Sequence, residues 1–129
     1  MKRVTDDKSK GRDFWGPCQW KSLHSIAASY KPCNAHAFLN YVNSLSYLLP
    51  CEQCCQHLGQ NLKKFPVEPY LGNNHDLFFW TYLLHDAVNQ SHNKDRPNEP
   101  KKYSPSFDEI KNYYFKAITG SCQDCEAKK

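Results

Sequence analysis

Residues 38–65 read FLNYVNSLSYLLPCEQCCQHLGQNLKKF, and this stretch decides the fold class. Phe38, Tyr41, Val42, Leu45, Leu48 and Leu49 recur at helical spacing, which predicts an amphipathic helix. Pro50 suits the first turn of the next helix, where its missing N–H costs nothing. That helix is predicted to carry Cys51, Cys54, Cys55, Leu58, Leu62 and Phe65 on its inward side. No stretch here alternates as a strand does.

The flanking sequence keeps the same period. Gly16, Trp20, His24 and Ala27 or Ala28 lie one turn apart, with Leu23, Ile26 and Tyr30 widening the face. This helix should stop near Tyr30, because Pro32 disfavours helix in the residue before it. Residues 65–72 contain Pro66, Pro69 and Gly72 and read as a loop. Asn73 or Asn74 caps a fourth helix with the stripe Leu77, Trp80, Leu84 and Val88, and His85 and Asn89 share an adjacent stripe. From Gln90 to Pro105 the chain is polar and proline-bearing, a long loop of the kind that often serves a site. Ser106-Phe107-Asp108-Glu109 is a capping box opening a short fifth helix through Ile110, Tyr113 and Tyr114, which Gly120 can terminate. The expected fold is all-α, a four-helix bundle plus a short fifth helix. Residues 1–13 form a charged tail, 14–120 the domain, and 121–129 a flexible tail with a second CxxC.

The chain has 129 residues, 40% of them hydrophobic and 14% aromatic, enough for one core. The formal charge of +4 gathers at the termini rather than in a stripe, so nucleic acid is not an expected partner. No apolar run reaches membrane-spanning length, and the N-terminus lacks the apolar segment of a secretory signal. No membrane partner and no signal peptide are expected.

Seven cysteines stand at 18, 33, 51, 54, 55, 122 and 125. Without a secretory signal, clustered cysteines point to redox or metal chemistry. Cys51 and Cys54 at a helix N-terminus suit a redox dithiol, since orphan N–H groups and the helix dipole stabilise a thiolate there. Two rival readings stand beside it. Cys51, Cys54, Cys122 and Cys125 could form a zinc site in a zinc-stabilised helical binding module, although 67 residues separate the pairs. Cys54 with His57 could enter a mixed site, or the cysteines could be purely structural. Cys18 and Cys33 flank the first helix at roughly 18 Å, too far for a disulfide. Cys55 reads either as a core thiol or as a strained alternative partner of its neighbour Cys54.

Trp15-Gly16, Trp20, Leu23-His24, Ala27, Tyr30, Pro50-Cys51-Glu52-Gln53-Cys54, Trp80, His85, Val88-Asn89 and Lys94 follow one another in a known order and spacing. In these residues the chain resembles the Erv/ALR sulfhydryl oxidases, particularly the short forms of large DNA viruses. The resemblance covers about residues 14–118. It implies a flavin-linked thiol oxidase with FAD held between the helices. Protein dithiols would be the substrates and molecular oxygen the acceptor, giving hydrogen peroxide. A homodimer is implied as well, as is a compartment: host cytoplasm or virion for a viral protein, mitochondrial intermembrane space for a cellular one.

Carried over by position, Gly16, Trp20, His24 and Tyr30 would line the flavin from the first helix. Trp80, His85, Val88 and Asn89 would do so from the fourth, while Lys94, with Lys101 or Lys102, would address the phosphates. Each has a plainer reading: core for Trp20 and Trp80, satisfied core histidines for His24 and His85, a solvated loop charge for Lys94. The resemblance makes Cys54 the flavin-side thiol and Cys51 the exchanging one, with Cys122 and Cys125 as a shuttle disulfide. Two features depart from the family pattern. Asp86 follows His85 where many members have Asn, and no cysteine lies between 56 and 121 to form a structural disulfide.

Overall fold

The computed structural model describes residues 11–127, with side chains through Thr119. The described chain is all-α, with no strand. Its helices are α1 (Arg12–Ala28), α2 (Ala35–Leu48), α3 (Glu52–Lys64), α4 (Asn74–Asp95) and α5 (Phe107–Ala127). Single 3-10 turns at Pro32–Asn34 and Glu68–Tyr70 join α1 to α2 and α3 to α4. No described helix is long and apolar enough to cross a membrane.

Local signals account for most helix ends. Gly11 precedes α1 at φ 56°, a left-handed conformation that glycine adopts without a Cβ penalty. Asn73 caps α4, its Oδ1 accepting the Asp76 N–H at 2.8 Å. Ser106 Oγ accepts the Glu109 N–H at 3.2 Å, so the expected capping residue opens α5.

Four boundaries differ from the sequence reading. Pro50 lies outside α3, and Cys51 is the N-cap, because its sulfur supplies the acceptor that the first turn needs. α1 ends at Ala28, two residues before Tyr30. α4 continues to Asp95, so Gln90 to Asp95 are helical and Lys94 sits in the last turn rather than in a loop. The polar sequence there reflects an outer helix surface, not a break. α5 is 21 residues long and passes through Gly120, so it is not short. Glycine weakens a helix interior by about 1 kcal/mol but ends it only where the chain must turn.

α1 packs against α4, and α2 against α3. The Asn74 side chain donates to the Ala28 carbonyl at 2.8 Å, while Trp20 stacks on His85 two turns away, so α1 and α4 run antiparallel. Ala27 and Ala28 are buried at this contact, and their small side chains let the helices approach closely. α5 covers the other side of α1 and α4, burying Tyr114 against Phe78. The core runs through Leu23, Phe38, Val42, Leu58, Leu77, Phe78, Trp80 and Leu84.

α3 is tied to α4 at both ends. The Trp80 indole N–H donates to the Phe65 carbonyl at 2.8 Å. At the other end the Arg96 guanidinium donates to the Gln53 side chain at 3.4 Å. Between these ties the two helices enclose an open cleft of about 520 Å³, lined by His57, Gln60, Asn61, Lys63 and Lys64 of α3 with Ser91 and Asp95 of α4.

Candidate active site

Cys51 and Cys54 are free thiols at the first turn of α3, both partly buried. Cys51 Sγ accepts the Cys54 backbone N–H at 3.2 Å, satisfying one orphan donor of the helix start. Hydrogen bonding from the Cys54 side chain, then from the Cys54 N–H, holds the Cys51 thiol below its ordinary pKa, against burial, which opposes it. The Arg12 charge at the start of α1 acts in the same direction. Burial, followed by the hydrogen bond with Cys51 and its charge, pushes Cys54 up to about 11. The two sulfurs therefore titrate as a pair, with the first thiolate on Cys51 and the retained proton on Cys54. The neighbouring Cys55 adds to the upward push on Cys54, its own sulfur lying 3.4 Å from the Leu49 carbonyl. Cys18 and Cys33 are free thiols and both are exposed.

Further along α1, Trp20 and His24 meet His85 of α4. Trp20 lies parallel to His85 with centroids 3.9 Å apart and 6° between planes. His24 Nε2 is 3.0 Å from His85 Nδ1, and His24 Nδ1 is 2.8 Å from Thr81 Oγ1. Burial, then the His85 charge, lowers His24 to about 3. Burial, then the Lys102 charge, lowers His85 to about 4, with Asp86 opposing. Both rings are neutral at pH 7. One turn beyond His85, the Asn89 amide donates to Ser104 Oγ at 3.1 Å, and Ser104 donates to Asp86 at 2.7 Å. His85 and Asn89 border a cavity of about 100 Å³ with Tyr82, Ser104 and Tyr114.

The remaining candidates from the sequence lie in different surroundings. Trp80 is fully buried, edge-on to Phe38, with its N–H used by Phe65. Tyr30 meets the same Phe38 ring, and its hydroxyl donates to the Leu71 carbonyl at 2.7 Å. These two aromatics meet at Phe38, while Trp20, His24 and His85 stack on one another. Val88 is partly buried on α4, and Lys94 is exposed. Lys101 is exposed, and its ammonium donates to the Asn93 carbonyl. The Cys122 and Cys125 side chains lie outside the described residues. Among the described residues, no three His, Cys, Asp or Glu side chains are grouped to hold a metal ion.

Thr81, Arg12 and Ser104 were not singled out from the sequence. A signal existed for Thr81, a hydroxyl residue within an apolar stripe and one turn before His85. Arg12 carried none, because only packing brings the start of α1 to the start of α3.

A planar cofactor ring fits the surroundings of Trp20 and His85 on two observations. The cleft between α3 and α4 is within the usual size of cofactor pockets, roughly 300–1,000 Å³, but none of Gly16, Trp20, His24, His85 or Asn89 lines it. Gly16 is a helix-interior glycine one turn before Trp20, yet a Cβ there would meet no protein atom within 4 Å. No internal packing demands a glycine at that position, and the open space leaves room for a ligand to approach the backbone. Trp20 and His85 supply flat faces, and Asn89 a polar edge.

The Erv1 / Alr family model matches residues 17–114 of this chain. The chain belongs to the Erv1/Alr family. The match contains Cys51, Cys54 and the Trp20–His24–His85 cluster of this Erv1/Alr chain. Arg12, Gly16 and the Cys122–Cys125 pair fall outside it. A relative from African swine fever virus (isolate Warthog/Namibia/Wart80/1980), named FAD-linked sulfhydryl oxidase, is 29% identical over 108 residues, covering 81% of this chain and 82% of its own. A relative from Invertebrate iridescent virus 3 is 30% identical over 88 residues, covering 63% of this chain and 57% of its own. An FAD-linked sulfhydryl oxidase of Oryza sativa subsp. japonica is 30% identical over 80 residues, covering 59% of this chain and 40% of its own.

Proposed function

We propose that this chain is an FAD-linked sulfhydryl oxidase acting on protein dithiols. The observation that carries the reading is the Cys51–Cys54 pair at the first turn of α3, where Cys51 Sγ accepts the Cys54 N–H at 3.2 Å, in an Erv1/Alr chain. Turnover starts from the Cys51–Cys54 disulfide. A substrate thiolate attacks Cys51 Sγ, the Cys51–Cys54 bond breaks, and Cys54 leaves with the electron pair. Two of the four influences that raise Cys54, the hydrogen bond and the charge of Cys51, vanish while Cys51 is held in the mixed disulfide. The leaving sulfur is then easier to release. The second substrate thiolate displaces Cys51, so the substrate leaves as a disulfide and the enzyme as a dithiol.

FAD, when bound, would supply the two-electron acceptor chemistry that links this dithiol to molecular oxygen, with hydrogen peroxide as the product. Gly16, Trp20, His24, His85 and Asn89 would hold it, with Cys54 as the sulfur on the ring side. The resemblance adds Tyr30, Trp80 and Val88 to the flavin-lining residues, and Lys94 with Lys101 would meet the phosphates. Protein substrates are favoured by Tyr47 and Leu48, 85% and 72% exposed, which stand just ahead of Cys51. They offer an apolar surface beside the exchanging sulfur. We also read Cys122 and Cys125 as a shuttle pair, the protein as a homodimer, and the setting as that of the viral relatives.

Purified protein should carry flavin absorbance near one FAD per chain and consume oxygen with dithiothreitol. Colourless protein holding stoichiometric zinc would replace this reading with the zinc-stabilised module.

A further inference from the structure

Thr81 is fully buried and 57 residues from His24 in sequence. Its Oγ1 lies 2.6 Å from the Phe78 carbonyl and 2.8 Å from His24 Nδ1. A carbonyl cannot donate, so the single hydroxyl proton occupies the Phe78 contact and Oγ1 accepts from His24 Nδ1–H. Neutral imidazole carries one N–H, which makes His24 Nε2 an acceptor. That nitrogen is 3.0 Å from His85 Nδ1, so His85 donates through Nδ1 and keeps a bare Nε2. No described residue hydrogen-bonds this last nitrogen. His85 borders the cavity with Asn89, and the parallel Trp20 ring sets its plane.

We propose that Thr81 is a positioning residue whose hydroxyl, acting through His24, sets the His85 tautomer so that Nε2 offers a lone pair to a ring N–H of the bound cofactor. The low pKa values of both rings support this, since protonation of either would break the donor order. A purely packing role would be filled equally well by valine, which has the same shape and no hydroxyl. Identifying the donor as a flavin N–H rests on the oxidase reading, whereas the tautomers do not depend on it.

Long-range 1H–15N spectra of the labelled full-length protein read each imidazole tautomer directly. Wild type and Thr81→Ser should both show His24 and His85 protonated at Nδ1 and bare at Nε2. Thr81→Val should show both rings as tautomer mixtures. In FAD titrations Thr81→Val should bind about ten-fold more weakly, about the effect of one buried hydrogen bond, and Thr81→Ser within about two-fold of wild type. An Nε2 proton on either ring of the wild type overturns the proposal, as does Thr81→Val with wild-type tautomers or wild-type FAD affinity. If Thr81→Val does not fold, the wild-type and Thr81→Ser spectra decide. A wild type with these tautomers that binds no FAD removes the oxidase reading and the ring N–H together, and leaves the Thr81–His24–His85 order standing.

Discussion

Mild acid should destabilise this protein through the His24–His85 pair. In the unfolded chain both imidazoles protonate below their ordinary pKa of 6.5, whereas the folded values are about 3 and about 4. A depressed histidine contributes stability that is intact above 6.5 and lost as pH falls toward the folded value, since only the unfolded state gains protons in between. For each group that only the unfolded chain protonates, a drop of one in pH costs about 1.4 kcal/mol. Between pH 6.5 and pH 5 the pair should therefore lose roughly 3 kcal/mol, a large part of the 5–15 kcal/mol typical of a domain. Lys102 opposes His85 protonation and Asp86 favours it, so the window reflects burial with only a modest charge correction. Urea unfolding of flavin-free protein, followed by far-UV circular dichroism at the two pH values, measures the loss. His85→Gln should reduce it to about half, because one titrating ring is gone. A stability that is flat from pH 6.5 to 5, or an equal loss in wild type and variant, would refute the reasoning.

Cys54→Ala should abolish oxidation of every thiol while flavin absorbance persists, and residual turnover in that variant would remove the role given to Cys54. Iodoacetamide should alkylate Cys51 before Cys54 in the reduced protein, and Arg12→Ala should raise the pH at which Cys51 reacts. Peptide mapping of a pH series checks both statements. Trp80→Phe leaves the Phe65 carbonyl without its 2.8 Å donor and should cost about 1–3 kcal/mol in denaturant unfolding. Replacing Cys122 and Cys125 together should spare oxidation of dithiothreitol and slow that of a protein dithiol, and equal effects on the two substrates would count against a shuttle.

The site was legible in the sequence only to the degree that its parts are local. Cys51 and Cys54 could be placed at a helix start because Pro50 and the following apolar period announce one. The refinement to Cys51 as N-cap required seeing its sulfur accept the Cys54 N–H. Trp20 and His24 share a face by spacing, and so do His85 and Asn89, which predicted two inward walls. Spacing did not separate Trp20 from Trp80. Both are aromatic residues on an inward stripe, yet one stacks on a histidine and the other fills the core beside Phe38. Family resemblance grouped Tyr30 and Trp80 with the flavin wall, and packing puts both at the Phe38 ring. Lys94 read as a loop charge because polar composition alone does not distinguish a loop from the solvent face of a last helical turn.

By itself the sequence determined the helices, the capping residues Asn73 and Ser106, and the position of the redox pair at a helix start. These depend on interactions three or four residues apart, which spacing encodes directly. Only the tertiary structure decided which sulfur of the pair holds the proton, because that depends on burial and on Arg12 from another helix. It also decided the donor order from Thr81 to His24 to His85. Those contacts join residues 57 and 61 positions apart, and only the antiparallel packing of α1 on α4 brings them within hydrogen-bond reach.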